Sequence, residues 1–457
     1  MKIDRIDIVN FKGFKRKSVE FHSQVTVIIG NNTAGKTSLI KALQVGMGEY
    51  LQCLKTLPGG QAYRRNFCSL DRHKEFDAKL RDYRTDAERT RISINGRYVQ
   101  SCTMNGNEWV LQYVPVTWSR EYTGTTTSHS RANAGELMDA VSEMERLREN
   151  GNAAVVYPLL LSFGAKRTND AQAASHRKTK ERELRVEKAY KYALHDKVDF
   201  EGAMEWLRRF DKNIKDGKEF DGTREAFFEA LGTAIPALSE IDFDNGEIEA
   251  VVSVSGHTPE RHHFSYMSDG LQSMINIVAE IAHRCIELNG CFGKNAVRVT
   301  SGVVLIDEID LYLHPHWQKH VLDDLAKAFP NLQFVVSTHS PFIVQSLQKQ
   351  QLVSFDNDVT VDGEPYREGL EDIASERMGM KNQIRSRRFE EMMNLAGDYY
   401  QAVTEGRDEK EILDKLRRCE SEFSDNPAYV ALIRNEYKKS SHATSFEEIA
   451  WRESKIS

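Results

Sequence analysis

Six cysteines, Cys53, Cys68, Cys102, Cys285, Cys291 and Cys419, lie scattered through 457 residues without a C-x-x-C pair. That scarcity excludes a zinc ribbon and a disulfide framework and reads as buried thiols. No apolar stretch is long enough to span a bilayer. The opening MKIDRIDIVNF has no charged-then-apolar leader, so a cytoplasmic protein with no membrane partner is expected. Neither charge is in large excess: the net charge is −6, with 28% charged and 40% hydrophobic residues. Such a balance does not advertise nucleic-acid binding, for which clustering on one face is what counts. Two clusters exist, Lys166 to Lys188 and Arg385-Ser386-Arg387-Arg388. Each reads either as a solvated helix face or loop or as a phosphate-binding surface. Sustained heptads are absent between about Tyr50 and Phe264, where only Ala134 to Glu149 and Lys178 to Phe210 read as helices. A long coiled-coil arm is thereby excluded. The length suits about three domains of ~150 residues each, or one large core with insertions.

What is present begins with VTVIIGNNTAGKTSLIKAL, from Val25 to Leu43. A β-branched strand leads into Gly30-Asn31-Asn32-Thr33-Ala34-Gly35-Lys36-Thr37 and then, from Ser38, into a helix-forming segment. In that setting the spacing predicts a phosphate-binding loop. Backbone N–H groups curl around the β- and γ-phosphates, and the two glycines supply conformations that side chains obstruct. The helix N-terminus adds positive potential. Lys36 is expected to reach the outer phosphates and Thr37 to ligate Mg²⁺, so ATP and Mg²⁺ are the expected ligands, with Ser38 completing the loop.

Gly302 to Ile309, GVVLIDEI, is a wholly apolar strand ending in two acids. Open α/β sheets bind ligands at such carboxyl ends. Asp307 is expected to hold Mg²⁺ directly or through water, and Glu308 to polarise an attacking water. A second apolar strand, Gln333 to Val336, runs into Ser337-Thr338-His339-Ser340-Pro341 after a helical stretch from Trp317 to Phe329. A right-handed crossover brings His339 to the same end as Asp307. Ser268-Asp269-Gly270 opens an apolar helix through His283, with Ser268 as its expected cap.

The order of these features resembles the ATP-binding-cassette ATPases, in the branch of RecF-like, OLD-like and chromosome-maintenance-like heads. IDIVNFKGFKRKSVEF before the loop is similar to the start of those heads. The resemblance implies an α/β ABC-type head with a mixed sheet flanked by helices, a helical insertion and a helical C-terminal tail. It makes Met267-Ser268-Asp269-Gly270 the signature, which contacts the γ-phosphate held by a second copy, so at least a homodimer is implied. Gln272 stands one place later than the usual signature glutamine, His314 replaces a common aspartate, and Gln112 is one possibility for the Q-loop glutamine. His314 with His316 suits capping or a dimer contact better than zinc.

Segments such as VVYPLLLSFGAKRT, SYMSDGLQSMINIVAEIAHRCIELN and EFSDNPAYVALIRNE narrow the likeness to bacterial defence ATPases that include the ATPase subunit of the Septu anti-phage system, with relatives in retron modules. That resemblance implies a separate HNH endonuclease partner and DNA reached through the complex. The expected division is 1–165 for the N-terminal part of the head, 166–248 for the helical insertion, 249–355 for the C-terminal part of the head, and 356–457 for a helical interaction region. The last of these packs on its own head or forms an oligomer or partner surface. Asp356-Asn357-Asp358 is a D-x-D pair without the apolar strands of a Toprim nuclease, so no intrinsic nuclease is expected. The alternatives are a RecF-like repair ATPase that binds DNA directly and an OLD-like nuclease.

Overall fold

Four runs without an exposed residue, VTVII, LLLSF, GVVLI and LQFVVS, have the composition of strands covered on both faces, and they form four adjacent strands of a five-stranded parallel sheet. The computed structural model describes residues 1–79, 81–85, 88–106, 108–151, 154–165, 184–196, 200–244, 247–253, 258–356, 362–380, 387–424, 430–431 and 433–435. Most of the basic segment at 166–188, Arg385 and Ser386, and the residues after Asp356 in the D-x-D pair lie outside the described residues.

In chain order the strands are β1 (Lys2–Phe11), β2 (Phe14–Glu20), β3 (Val25–Ile29), β4 (Lys74–Asp77), β5 (Asp82–Thr85), β6 (Thr90–Asn105) and β7 (Glu108–Tyr122). They continue as β8 (Leu159–Phe163), β9 (Leu238–Asp244), β10 (Glu247–Val252), β11 (Glu260–His263), β12 (Gly302–Ile306), β13 (Leu332–Ser337) and β14 (Leu352–Ser354). The parallel sheet has the order β14-β3-β13-β12-β8, and the antiparallel sheet the order β2-β1-β6-β7. The chain is thus an α/β head carrying both kinds of strand pairing. The phosphate-loop strand β3 and the acidic strand β12 are not neighbours, because β13 lies between them, with Val336 paired to both Val27 and Ile306.

The two sheets are joined by buried polar contacts. The wholly buried Gln333 amide accepts from the Ile3 N–H at 2.8 Å and donates to the Ile3 carbonyl at 2.7 Å, which locks β13 to β1. Helix Lys36–Cys53 is tied to β7 by an ion pair between Glu49 and Arg120, 3.0 Å apart and both inaccessible to solvent. Arg120 also donates to the carbonyls of Val45 and Arg65. A buried charge is tolerated only with this degree of satisfaction.

Beyond the head sheets, helices Phe200–Lys215 and Thr223–Ala234 and the small sheet β11-β10-β9 precede the 21-residue helix Asp269–Asn289. On that helix Glu280 pairs with Arg284 at 2.6 Å and His283 at 3.5 Å, and Arg284 reaches back to the Ala189 carbonyl. Burial alone raises the pKa of Glu280, but the attraction of Arg284 and His283 outweighs it and brings the carboxyl down to about 2 from 4.5. A depressed folded-state pKa stabilises above the unfolded value and is lost as pH falls through the folded one. Acidification from about pH 4.5 towards 2 is therefore expected to remove up to about 3 kcal/mol. Glu280→Gln should flatten that part of a urea-midpoint-against-pH curve, and an unchanged slope would refute the assignment.

The chain divides into two compact units, Met1–Gly379 and Met380–Ser457. In the second, helices Arg387–Thr404 and Glu409–Glu422 bury Ala396, Tyr399, Ala402, Ile412, Leu416 and Cys419 against each other. The short link at 405–408 brings the two helices together. The Tyr399 hydroxyl donates to the Ile433 carbonyl at 3.0 Å.

Candidate functional site

Parallel pairing sends the carboxyl ends of β3, β13, β12 and β14 to one edge of the sheet, and each ends in a polar residue or loop. β3 runs into the Gly30–Thr37 loop, with Asn31, Asn32, Thr33 and Thr37 exposed and Ala34, Gly35 and Ser38 half-buried. Gly35 has φ +104°, and a Cβ there would lie 2.6 Å from the Phe14 ring, so no larger residue fits. This contact gives the Asn-Phe-Lys-Gly-Phe turn its place: Phe14 closes the loop from the antiparallel sheet. Gly35 caps the following helix without a side chain, leaving the N–H groups of Lys36, Thr37 and Ser38 without intrahelical acceptors. The first helical turn can therefore receive an anion.

Lys36 is only 8% exposed and donates to the carbonyls of Gly30 at 2.6 Å and Asn31 at 3.2 Å. Burial lowers its pKa, opposed by the nearby Asp307, Asp356, Glu308 and Asp310. One ammonium among four carboxylates leaves the site short of positive charge, which suits a divalent cation arriving with its phosphates. Thr37 Oγ1 donates to Asp307 Oδ2 at 2.9 Å, and Ser337 Oγ donates to Asp307 Oδ1 at 2.5 Å. Thr37 and Asp307 thus already stand as an adjacent oxygen pair. The Glu308 N–H donates to Ser337 Oγ at 2.8 Å, and Glu308 itself takes φ +52°. Backbone held in this sparsely populated region is a mark of functional sites.

His339 is exposed at the end of β13, and its N–H donates to Asp310 at 3.3 Å while Thr338 Oγ1 donates to the same oxygen at 2.6 Å. The structure thus brings the phosphate loop, Asp307, Glu308 and His339 to one sheet edge. Three participants were not anticipated. Ser337 bridges Asp307 and Glu308, Asp310 holds the His339 loop, and Asp356 accepts the Asn31 N–H through both oxygens at 3.1 Å. The spacing of Asp310, three residues after Asp307, was available as a signal; Asp356, 325 positions from its partner, had none.

Ser268 occupies the N-cap position of its helix, yet its hydroxyl makes no cap bond, contrary to expectation, and both it and Asp269 are exposed. The loop is held instead by Gln272, whose amide donates to the carbonyls of Phe264 at 3.1 Å and Met267 at 2.9 Å. Gly270 is required where the Tyr312 carbonyl passes: a Cβ would lie 2.4 Å from it. A chain of contacts continues from there, since Gln318 donates to Leu313 and accepts from Ser340, next to His339. Gln112 lies on β7 of the antiparallel sheet, where its side-chain oxygen accepts from the Ser101 hydroxyl at 2.9 Å. His314 caps the short helix Pro315–Gln318 through Nδ1. Among the described residues no three His, Cys, Asp or Glu form a ready metal cluster, and no helix is long and apolar enough to cross a membrane.

The "Retron Vc95 probable ATPase" of Vibrio cholerae serotype O1 biovar El Tor is 25% identical over 403 residues, covering 77% of this chain and 73% of that protein. "Septu protein PtuA" of Bacillus thuringiensis is 34% identical over 104 residues, 22% of this chain and 25% of the relative. An SMC head solved with the C-winged helix domain of ScpA covers 78% of this chain and 94% of its own, at 16% identity and a TM-score of 0.43. The family model described as "AAA domain, putative AbiEii toxin, Type IV TA system" matches residues 25–345, and a second, "AAA domain", matches residues 1–46. With a single family model spanning more than half its length, the chain belongs to this AAA-domain family, as an ATPase related to those of retron and Septu defence systems.

Proposed function

We propose that the chain is the ATP-binding regulatory and assembly subunit of an anti-phage complex, in which ATP closes paired heads and the state of those heads controls a partner HNH endonuclease. The observation that carries this reading is the exposed pair Ser268 and Asp269, at a helix N-terminus whose serine hydroxyl makes no cap bond. In a head-to-head pair these residues meet the γ-phosphate bound by the other copy, so each nucleotide touches both chains. A ligand switches a system only through different affinities for its states, and shared contacts supply that difference.

In this reading the backbone of Gly30 to Ser38 cradles the phosphates and Lys36 neutralises the outer ones. Thr37 and Asp307 hold Mg²⁺, which supplies charge neutralisation along the triphosphate. Glu308 accepts the proton of the attacking water, and His339 contacts the γ-phosphate from the central strand. The helical insertion at 166–248 and the region from 356 onward serve as partner surfaces beside the head segments 1–165 and 249–355. DNA is reached through the complex.

With ATP and a hydrolysis-blocked Glu308→Gln background, light scattering should show pairs of copies. Adding Ser268→Arg should return single copies while ATP still binds, and pairing that survives the arginine would refute the shared site. The control relationship is tested on the complex purified with its operon neighbour, by measuring DNA cleavage across ATP concentrations. Cleavage indifferent to nucleotide would overturn it.

A further inference from the structure

β4 and β5 form a two-stranded sheet that no third strand joins among the described residues. Such a hairpin is marginal alone. It is rooted on the β1–β2 turn: the His73 N–H donates to Asn10, the Lys12 N–H donates to Asp71, and the Lys12 ammonium pairs with the Asp71 carboxylate at 2.9 Å. Its outer end carries a directly opposed aromatic pair, Phe76 and Tyr83, with ring centroids 5.4 Å apart. These rings are 58% and 64% exposed. Strand alternation puts Lys74 on their face and Glu75, Asp77 and Arg84 on the other. On that other face Asp77 is paired with Arg84 at 3.0 Å and Glu75 with Lys15 at 3.2 Å, while Asp82, opposite Asp77, accepts the Tyr83 N–H. The aromatic face is left cationic.

The surroundings extend the same sign. Residues 12–17 and 71–91 hold eleven Lys and Arg against six Asp and Glu, in a chain whose net charge is −6. Exposed rings beside unneutralised cations match what a nucleic-acid strand presents, a π-face on each base and a phosphate beside it. A duplex keeps its base faces stacked on one another, so only unpaired bases can use the rings.

We infer that the β4–β5 hairpin is a single-strand nucleic-acid contact, with bases stacked on Phe76 and Tyr83 and phosphates on Lys74 and Arg81. The contact needs no nucleotide-driven pairing and is tested without ATP.

The probe is a fluorescein-labelled oligothymidine of about twenty nucleotides, followed by anisotropy with the full chain at ~50 and ~200 mM salt. Wild type should bind, and more weakly at the higher salt. Phe76→Ala with Tyr83→Ala should weaken binding about tenfold or more, from the loss of stacking. Lys74→Glu with Arg81→Glu should weaken it and flatten the salt dependence. Both pairs should bind a fluorescent ATP analogue as wild type does, which certifies the fold. Absence of binding by wild type, or equal binding by the alanine pair, overturns the inference. If the alanine pair keeps the oligonucleotide but loses a copurifying protein, the hairpin is a protein contact and the inference fails.

Discussion

Lys36→Ala is expected to lower ATP affinity by roughly 10²–10³-fold, the scale for removing one partner of a buried, hydrogen-bonded charge pair. The expectation follows from what surrounds the ammonium. Lys36 is nearly buried, and Asp307, Glu308, Asp310 and Asp356 are all close enough to act on its charge. Without it, a triphosphate enters a site whose nearest ionised side chains all repel it. Because Lys36, among the described residues, is bonded to the carbonyls of Gly30 and Asn31 within its own loop, its removal leaves the sheet and its buried clamps intact. Titration calorimetry with ATP and Mg²⁺ provides the measurement, alongside thermal melting to show an intact fold. Unchanged affinity would mean that the loop does not bind the phosphates as proposed.

Glu308→Gln should separate binding from turnover. The substitution keeps shape and hydrogen-bonding capacity but cannot take a proton, and general-base removal typically costs about 10²–10⁴-fold in rate. Ser337 Oγ accepts from the Glu308 N–H and donates to Asp307, so both acids are fixed to one hydroxyl on the central strand. Glutamine at this position should therefore keep the φ of +52° and the Thr37–Asp307 contact. Steady-state phosphate release should collapse while ATP affinity holds. A variant that turns over normally would move the base elsewhere, and one that loses ATP would make Glu308 part of the binding site.

Much of the head was legible because its chemistry is local. VTVII and GVVLI announce buried strands by composition alone, and the residues that follow them are contiguous with them. Strand order is not local. That β13 separates β3 from β12 depends on how helices pack across the whole sheet, and no window of sequence around Gln333 encodes it. Its buried amide, which clamps Ile3 of the other sheet, looks in sequence like any polar residue interrupting a strand.

The stretch between about Tyr50 and Phe264 was read mainly for helices, and the structure places β6 and β7 there, 16 and 15 residues long. Interspersed Arg, Asn and Gln obscure their alternation, since one face of an antiparallel sheet tolerates polar residues. The β4–β5 hairpin escaped for the opposite reason: four-residue strands carry too short a period to detect. Asp356 was weighed as half of a D-x-D pair. Its actual partner, the Asn31 N–H, becomes visible only once β14 pairs beside β3.

The β1–β2 turn belongs to two neighbourhoods at once. Phe14 leans on Gly35 of the phosphate loop, and two residues earlier Lys12 and its carbonyl hold Asp71 and His73 at the root of the β4–β5 hairpin. Thermodynamic linkage is reciprocal. Where a nucleotide on the loop and a ligand on the hairpin act on each other through this turn, the coupling free energy is the same in both directions. A strand caught on Phe76 and Tyr83 would then retune the affinity of Gly30 to Thr37 by the same factor.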